Sequence, residues 1–157
     1  MRPAFVAYPR GPRYAAIGFS AVIVVGAVIA FVALGPDVRA RFTGEQVFTL
    51  VLFLIVMVTI MAAIGFSSVR VEPDGLRYRN GLRTHLLPWS DVGEIQFHPG
   101  NPWPRVVLQG ASAEGDHDVV PLMGIQGSDK AYAFAQYEAL REAIAEQRQT
   151  QSGPDGD

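Results

Sequence analysis

The sequence predicts a membrane α-helical hairpin, two transmembrane helices, followed by an α+β domain in which an antiparallel, partly closed β-barrel is capped by a C-terminal helix. Three observations carry this. Residues 14–34 and 46–66 contain no charged side chain. From residue 67 the chain breaks into short alternating stretches separated by Gly, Pro, Asn and Asp. After residue 128 the apolar spacing becomes helical.

Residues 1–13 form an N-terminal juxtamembrane segment. Pro3, Pro9, Pro12 and Gly11 make it a stiff, irregular lead-in that cannot be helical throughout. The stretches 14–34, "YAAIGFSAVIVVGAVIAFVAL", and 46–66, "QVFTLVLFLIVMVTIMAAIGF", follow. As helices each spans roughly 32 Å at about 1.5 Å per residue, enough for a hydrocarbon core of about 30 Å. A chain of 157 residues could hardly cover two such helices on all sides, so lipid is preferred to a protein core as their surroundings. The β-branched run Val22–Val25 does not oppose this, because lipid offers the backbone no other partner. A cleaved leader is disfavoured for the first stretch, whose apolar run exceeds the roughly 7–15 residues of a signal core. Gly26 with Ala30, and Thr59 with Ala63, are small pairs that permit close helix packing.

Residues 35–45 are a short loop carrying Arg39 and Arg41, whereas Arg2, Arg10 and Arg13 precede the first span and Arg70, Arg77, Arg79 and Arg83 follow the second. Basic residues stay inside. The expectation is a multi-pass protein of the plasma (inner) membrane, with both termini and the domain cytoplasmic.

The domain is placed at residues 67–149. "SSVRVE" alternates, Val69 and Val71 against Arg70 and Glu72, and "LRYRN" sets Leu76 and Tyr78 against Arg77 and Arg79. Between them Pro73-Asp74-Gly75 is a turn. Asn80-Gly81 predicts a type I′ hairpin turn into a strand over 82–89, which Pro88 ends at an edge or bulge. Further strands are expected at 92–97, 105–110 and 117–122, the last two joined by "ASAEGD". Ser128 is placed as the N-cap of a helix with Asp129 in its first turn and Phe134, Tyr137, Leu140 and Ile144 on one face. Residues 150–157 read as a disordered tail.

The chemistry-bearing residues are sparse. No cysteine is present, which rules out disulfides, thiolate metal sites and Cys nucleophiles. His85, His98 and His117, even with Asp116 or Asp118, match no compact ligand spacing, so no metal or cofactor is expected. No nucleophile elbow, phosphate loop or zincin helix occurs, and no catalytic residue is assigned. Residues 67–157 carry eight basic and thirteen acidic side chains, which argues against nucleic acid. Trp89 reads as a core anchor, with Ser90 or Asp91 bonding nearby backbone amides.

The stretch "VEPDGLRYRN…LRTHLLPWSDVGEIQF", then "VVLQG", "VPL" and an Ala-rich helix, resembles the bacterial PH-domain family of the low-molecular-weight protein antigen 6 type. Asp74-Gly75-Leu76, Asn80 and Pro88-Trp89-Ser90-Asp91-Val92 carry the resemblance. It covers about 80 residues as well as the two-span layout, and those actinobacterial relatives often have two spans ahead of the domain. It implies a PH-like barrel with a C-terminal helix and no catalytic residues.

These readings lead to a non-enzymatic, membrane-anchored binding module, an accessory or assembly subunit docking on another membrane protein. The alternative is recognition of anionic lipid head groups. Arg70, Arg77, Arg79 and Arg83 are the candidate contacts, with Trp103 added because its stiff "NPWP" loop presents an aromatic either to the core or to a partner.

Overall fold

The computed structural model describes residues 4–110 and 119–152. Helices α1 (Arg10–Ala33) and α3 (Gly44–Gly65) form the hairpin, joined through a single helical turn, α2 (Pro36–Arg39). A capping box opens α3: Thr43 Oγ1 accepts from the Gln46 N–H at 3.3 Å, and Gln46 Oε1 accepts from the Thr43 N–H at 3.1 Å. Near the domain the helices touch at Gly65, where a Cβ would lie 2.7 Å from that of Ala16. Both helices are long and apolar enough to cross a bilayer, and almost none of either is buried. Large apolar side chains such as Phe19, Ile29 and Phe48 instead face outward, which is the surface a bilayer covers.

The domain consists of two antiparallel sheets. Strands β1 (Phe5–Ala7), β2 (Ser68–Glu72), β3 (Gly75–Asn80) and β4 (Arg83–Pro88) lie in that order in the first. Strands β5 (Val92–Gln96), β6 (Arg105–Leu108) and β7 (Val119–Pro121) form the second. Among the described residues no ladder joins the sheets, so the expected partly closed barrel is an open pair. The seam is bridged by Asn80, whose Nδ2 donates to the Pro121 carbonyl at 2.6 Å and whose Oδ1 accepts from the Met123 N–H at 3.1 Å.

The N-terminal segment departs from expectation. It is not an irregular lead-in: Phe5–Ala7 is the first strand of the sheet, paired with β2 so that Phe5 faces Val71 and Ala7 faces Val69. Ala7 is buried in the core. Helix α1 then starts at Arg10 rather than Tyr14, which brings Arg10 and Arg13 into its first turns.

The start of the last helix also differs. Gly127–Asp129 is a 3-10 turn, Lys130 takes a positive φ of 50°, and α4 (Ala131–Ser152) begins after it. Ser128 therefore does not cap α4. Instead Asp129 caps α1, its Oδ2 accepting from the Arg10 N–H at 2.9 Å and its Oδ1 from the Gly11 N–H at 3.1 Å. Helix α1 has no acidic residue in its first turn and no side-chain cap of its own. A carboxylate there satisfies orphan amides and opposes the positive helix end. The Arg10 guanidinium stacks over Tyr132 at 4.3 Å, a second tie between the helix and the domain. Asp129→Ala is expected to cost about 1 kcal/mol and to accelerate hydrogen exchange at the Arg10 and Gly11 amides; unchanged exchange at both would show that the cap carries no weight.

The core joins Val69, Val71, Leu76, Val92, Ile95, Val106, Leu122 and Ile125 to Ala133, Leu140 and Ile144 of α4. Helix α4 lies across both sheets, with Tyr137 donating its hydroxyl to the Ile95 carbonyl at 3.0 Å. Its inner face is Ala133, Tyr137, Leu140 and Ile144, whereas Phe134 is 42% exposed and packs on Phe97 at its margin. The helix runs to Ser152, into the stretch expected as tail, and residues 153–157 lie outside the described residues. So do the "ASAEGD" connection and the start of the strand expected from His117.

The hairpin between β3 and β4 turns on Gly81 and Leu82, with Asn80 already paired to Arg83. Gly81 has φ 65° and no other residue near it has positive φ. That is the sign pattern of a type II′ turn, not the expected type I′.

Candidate functional site

The alternation of β2 and β3 sends Val69, Val71, Leu76 and Tyr78 inward and leaves Ser68, Arg70, Glu72, Arg77 and Arg79 on the other face of the sheet. The register sets Arg70 directly opposite Arg77, and Arg79 opposite both Ser68 and Thr84. The ends of the two long helices meet this face. Between them lies a cavity of about 310 Å³, open to one side. Tyr8 lines it from between β1 and α1, Arg13 from the start of α1, Gly65 and Phe66 from the end of α3, and Arg70, Arg77, Arg79 and Thr84 from the sheet.

Each guanidinium is held differently. Arg77 Nε donates to Glu72 Oε2 at 2.7 Å, and this hydrogen bond, with the carboxylate's charge, raises the Arg77 pKa above its ordinary value. Arg79 Nε donates to the Gly81 carbonyl at 3.0 Å. Arg13 sits over the rings of Phe66 at 5.0 Å and Tyr8 at 5.5 Å, in cation–π range. Among the described residues, the Arg70 guanidinium makes no hydrogen bond or ion pair. The cavity lining therefore gathers four cations, of which Arg77 is paired with a carboxylate that is itself outside the lining.

Of the five candidate contacts, Arg70, Arg77 and Arg79 come together here and two do not. Arg83 lies at the base of the β3–β4 turn, outside the cavity lining. Trp103 is half-buried, not an exposed tip, in a loop tied down by the Gly127 and Leu122 N–H groups, which donate to Pro102 and Pro104 at 2.8 and 2.9 Å. Arg13 is the residue the sequence reading assigned only to topology. Its signal was its position just ahead of an apolar run, where it must lie close to whatever follows the second helix.

Trp89 packs on the core and donates Nε1–H to the carbonyls of Glu72 and Pro73 at 3.2 and 3.1 Å, locking the β2–β3 turn. Among the described residues Ser90 bonds no backbone amide; its Oγ donates to Asp91 Oδ1 at 2.8 Å. His85 and His98 are not part of any cluster of metal-ligating side chains among the described residues, and His85 stacks on Tyr78 at 5.3 Å. His117, Asp116 and Asp118 lie outside the described residues.

Residues 67–143 match the family model described as a bacterial PH domain. Uncharacterized proteins of Mycobacterium bovis and Mycobacterium tuberculosis are 34% identical over 80 residues, which cover 51% of this chain and 48% of each relative. The match thus spans about half the length of these curated relatives. No solved structure matches the chain. By this match residues 67–143 are a bacterial PH domain, and a strand from ahead of the first long helix is added to that domain's sheet.

Proposed function

We propose that the protein is a non-enzymatic, membrane-anchored PH-like binding module that serves as an accessory or assembly subunit and docks on another membrane protein. Helices α1 and α3 span the plasma membrane, and both ends of the hairpin, with the domain, face the cytoplasm.

The observation that carries this reading is the joint between domain and hairpin. Strand β2 starts two residues after Phe66, β1 returns from ahead of α1 into the same sheet, and Asp129 grips the start of α1. A domain held this way does not sample orientations at the end of a linker. It presents one surface at one height above the bilayer, which suits a subunit meeting a partner in the membrane plane. Gly26 and Ala30 lie on α1, and a side chain at Gly26 would meet nothing, so a second protein's helix has room to approach. The arginine-lined cavity favours a second reading, contact with anionic lipid.

Two measurements test this. The chain has no cysteine, and Ala40 and Gln149 are both exposed. Ala40→Cys should therefore react with an impermeant maleimide on intact cells and Gln149→Cys only after lysis; the opposite pattern reverses the topology. The tagged full-length protein in native nanodiscs should carry a stoichiometric membrane protein that is lost on truncation at Phe66. Recovery with lipid alone would overturn docking and leave the lipid reading.

A further inference from the structure

We propose that the cavity between α1, α3 and the first sheet is a binding site for a phosphate monoester, held by Arg13, Arg70 and Arg79. The inference deepens the lipid reading above, and places the ligand between the domain and the membrane helices rather than within the domain.

The sheet register points to an anion most directly. Like charges directly opposite on neighbouring strands destabilise a sheet, yet Arg70 faces Arg77, with Arg79 two residues further along β3. Glu72 relieves only part of this, because its carboxylate is engaged by Arg77. A bound anion supplies what the sheet lacks. The geometry of the remaining groups fits one. The Nε bond of Arg79 to Gly81 fixes its guanidinium plane and leaves the two terminal nitrogens without a protein partner among the described residues. The rings of Tyr8 and Phe66 hold Arg13 at the opposite wall. Planar guanidinium forks match phosphate oxygens two at a time, and the Thr84 hydroxyl at the rim adds a neutral donor.

Charge selects the ester type. Four guanidinium groups against one carboxylate match a monoester, which carries about −1.5 to −2 near neutral pH, better than a singly charged diester. A volume of about 310 Å³ holds the phosphate and part of its substituent. Arg13, Gly65 and Phe66 at the domain-side ends of the long helices line the site, so the ester can be a lipid head group of the phosphatidic type or a small soluble phosphate such as glycerol 3-phosphate.

The test uses the full-length protein, delipidated in mild detergent and followed by native mass spectrometry. Phosphatidic acid should be retained about tenfold more tightly than phosphatidylglycerol or phosphatidylcholine, a factor equal to about 1.4 kcal/mol. Arg13→Gln and Arg70→Gln should each lose most of that preference. Arg83→Gln removes the same charge outside the cavity and should change retention less than about twofold, as diffuse attraction of one surface cation is weak in salt. Glu72→Gln frees Arg77 and should tighten binding severalfold, a gain that misfolding cannot produce. Competition by glycerol 3-phosphate assigns the site to a soluble ester, and its failure to compete assigns it to a lipid; both support the site. Equal losses for Arg70→Gln and Arg83→Gln, or no preference for phosphatidic acid, would overturn it. Because binding is read in micelles, it stands or falls independently of the cysteine-labelled topology and of any protein partner.

Discussion

A fragment of residues 67–152, which starts where the family match starts and runs to the end of α4, is expected to be at least about 3 kcal/mol less stable than the domain in the full chain. Removing β1 strips the sheet of an edge strand and leaves β2, whose Val69 and Val71 are fully buried, with an open edge. It also deletes Ala7 from the core and Phe5 from its margin. Burying a large apolar side chain is worth about 1.5–3 kcal/mol, and each net backbone hydrogen bond about 1 kcal/mol. Against a total of roughly 5–15 kcal/mol for a whole domain, the loss is serious. An exposed strand edge is also a template for aggregation. The cure follows from the same register. Ala7 faces Val69, so replacing residues 9–67 by a short Asn-Gly turn joins β1 to β2 as an ordinary hairpin. Urea unfolding followed by circular dichroism should give this clipped chain a higher midpoint than the bare fragment. Equal midpoints would mean that β1 is decoration. The bare fragment is also the wrong reagent for testing lipid binding, since it lacks Arg13 along with β1.

What could be read from the sequence was what local pattern encodes. The two long helices announce themselves because an uncharged stretch of their length has few other homes. Strands β2 and β3 are legible because one face is buried and the other wet, and the alternation of Val69, Val71, Leu76 and Tyr78 records it. The later strands and the closing helix were legible in the same way, and the resemblance added the PH-like arrangement into which they fit. Hidden were the features whose partners lie far along the chain. Phe5–Ala7 is too short and too flanked by proline to signal a strand, and its partner follows both helices. Asp129 looked like a helix-start residue, which it is, but for a helix 118 residues earlier. The arginines of β2 and β3 were visible as a cluster, yet their enclosure depends on Arg13 and the helix ends. Arg83 matched the pattern in sequence and missed the cavity because it pairs with Asn80, and alternation along β4 gives the cavity face to Thr84.

Asn80→Ala should lower stability by about 2–4 kcal/mol, more than a turn residue would. Had Asn80 served only the hairpin, alanine would be tolerated, since its φ is negative and Gly81 supplies the left-handed step. The side chain instead reaches across the seam to Pro121 and Met123, bonding a carbonyl and an N–H where, among the described residues, no ladder joins the sheets. Alanine leaves both backbone groups unpaired in a half-buried place, at about 1–3 kcal/mol each. Asn80→Asp sharpens the test. It keeps an acceptor for the Met123 N–H but sets a carboxylate oxygen against the Pro121 carbonyl, so it should be no better than alanine although it differs from asparagine by one group. The readouts are the urea midpoint of the clipped chain and the exchange rate of the Met123 amide. If the midpoint falls and Met123 exchanges faster, the open sandwich is held at this edge by one side chain. If the midpoint stays and only the amide quickens, α4 alone holds the sheets together, through Leu140, Ile144 and the Tyr137 hydroxyl on Ile95.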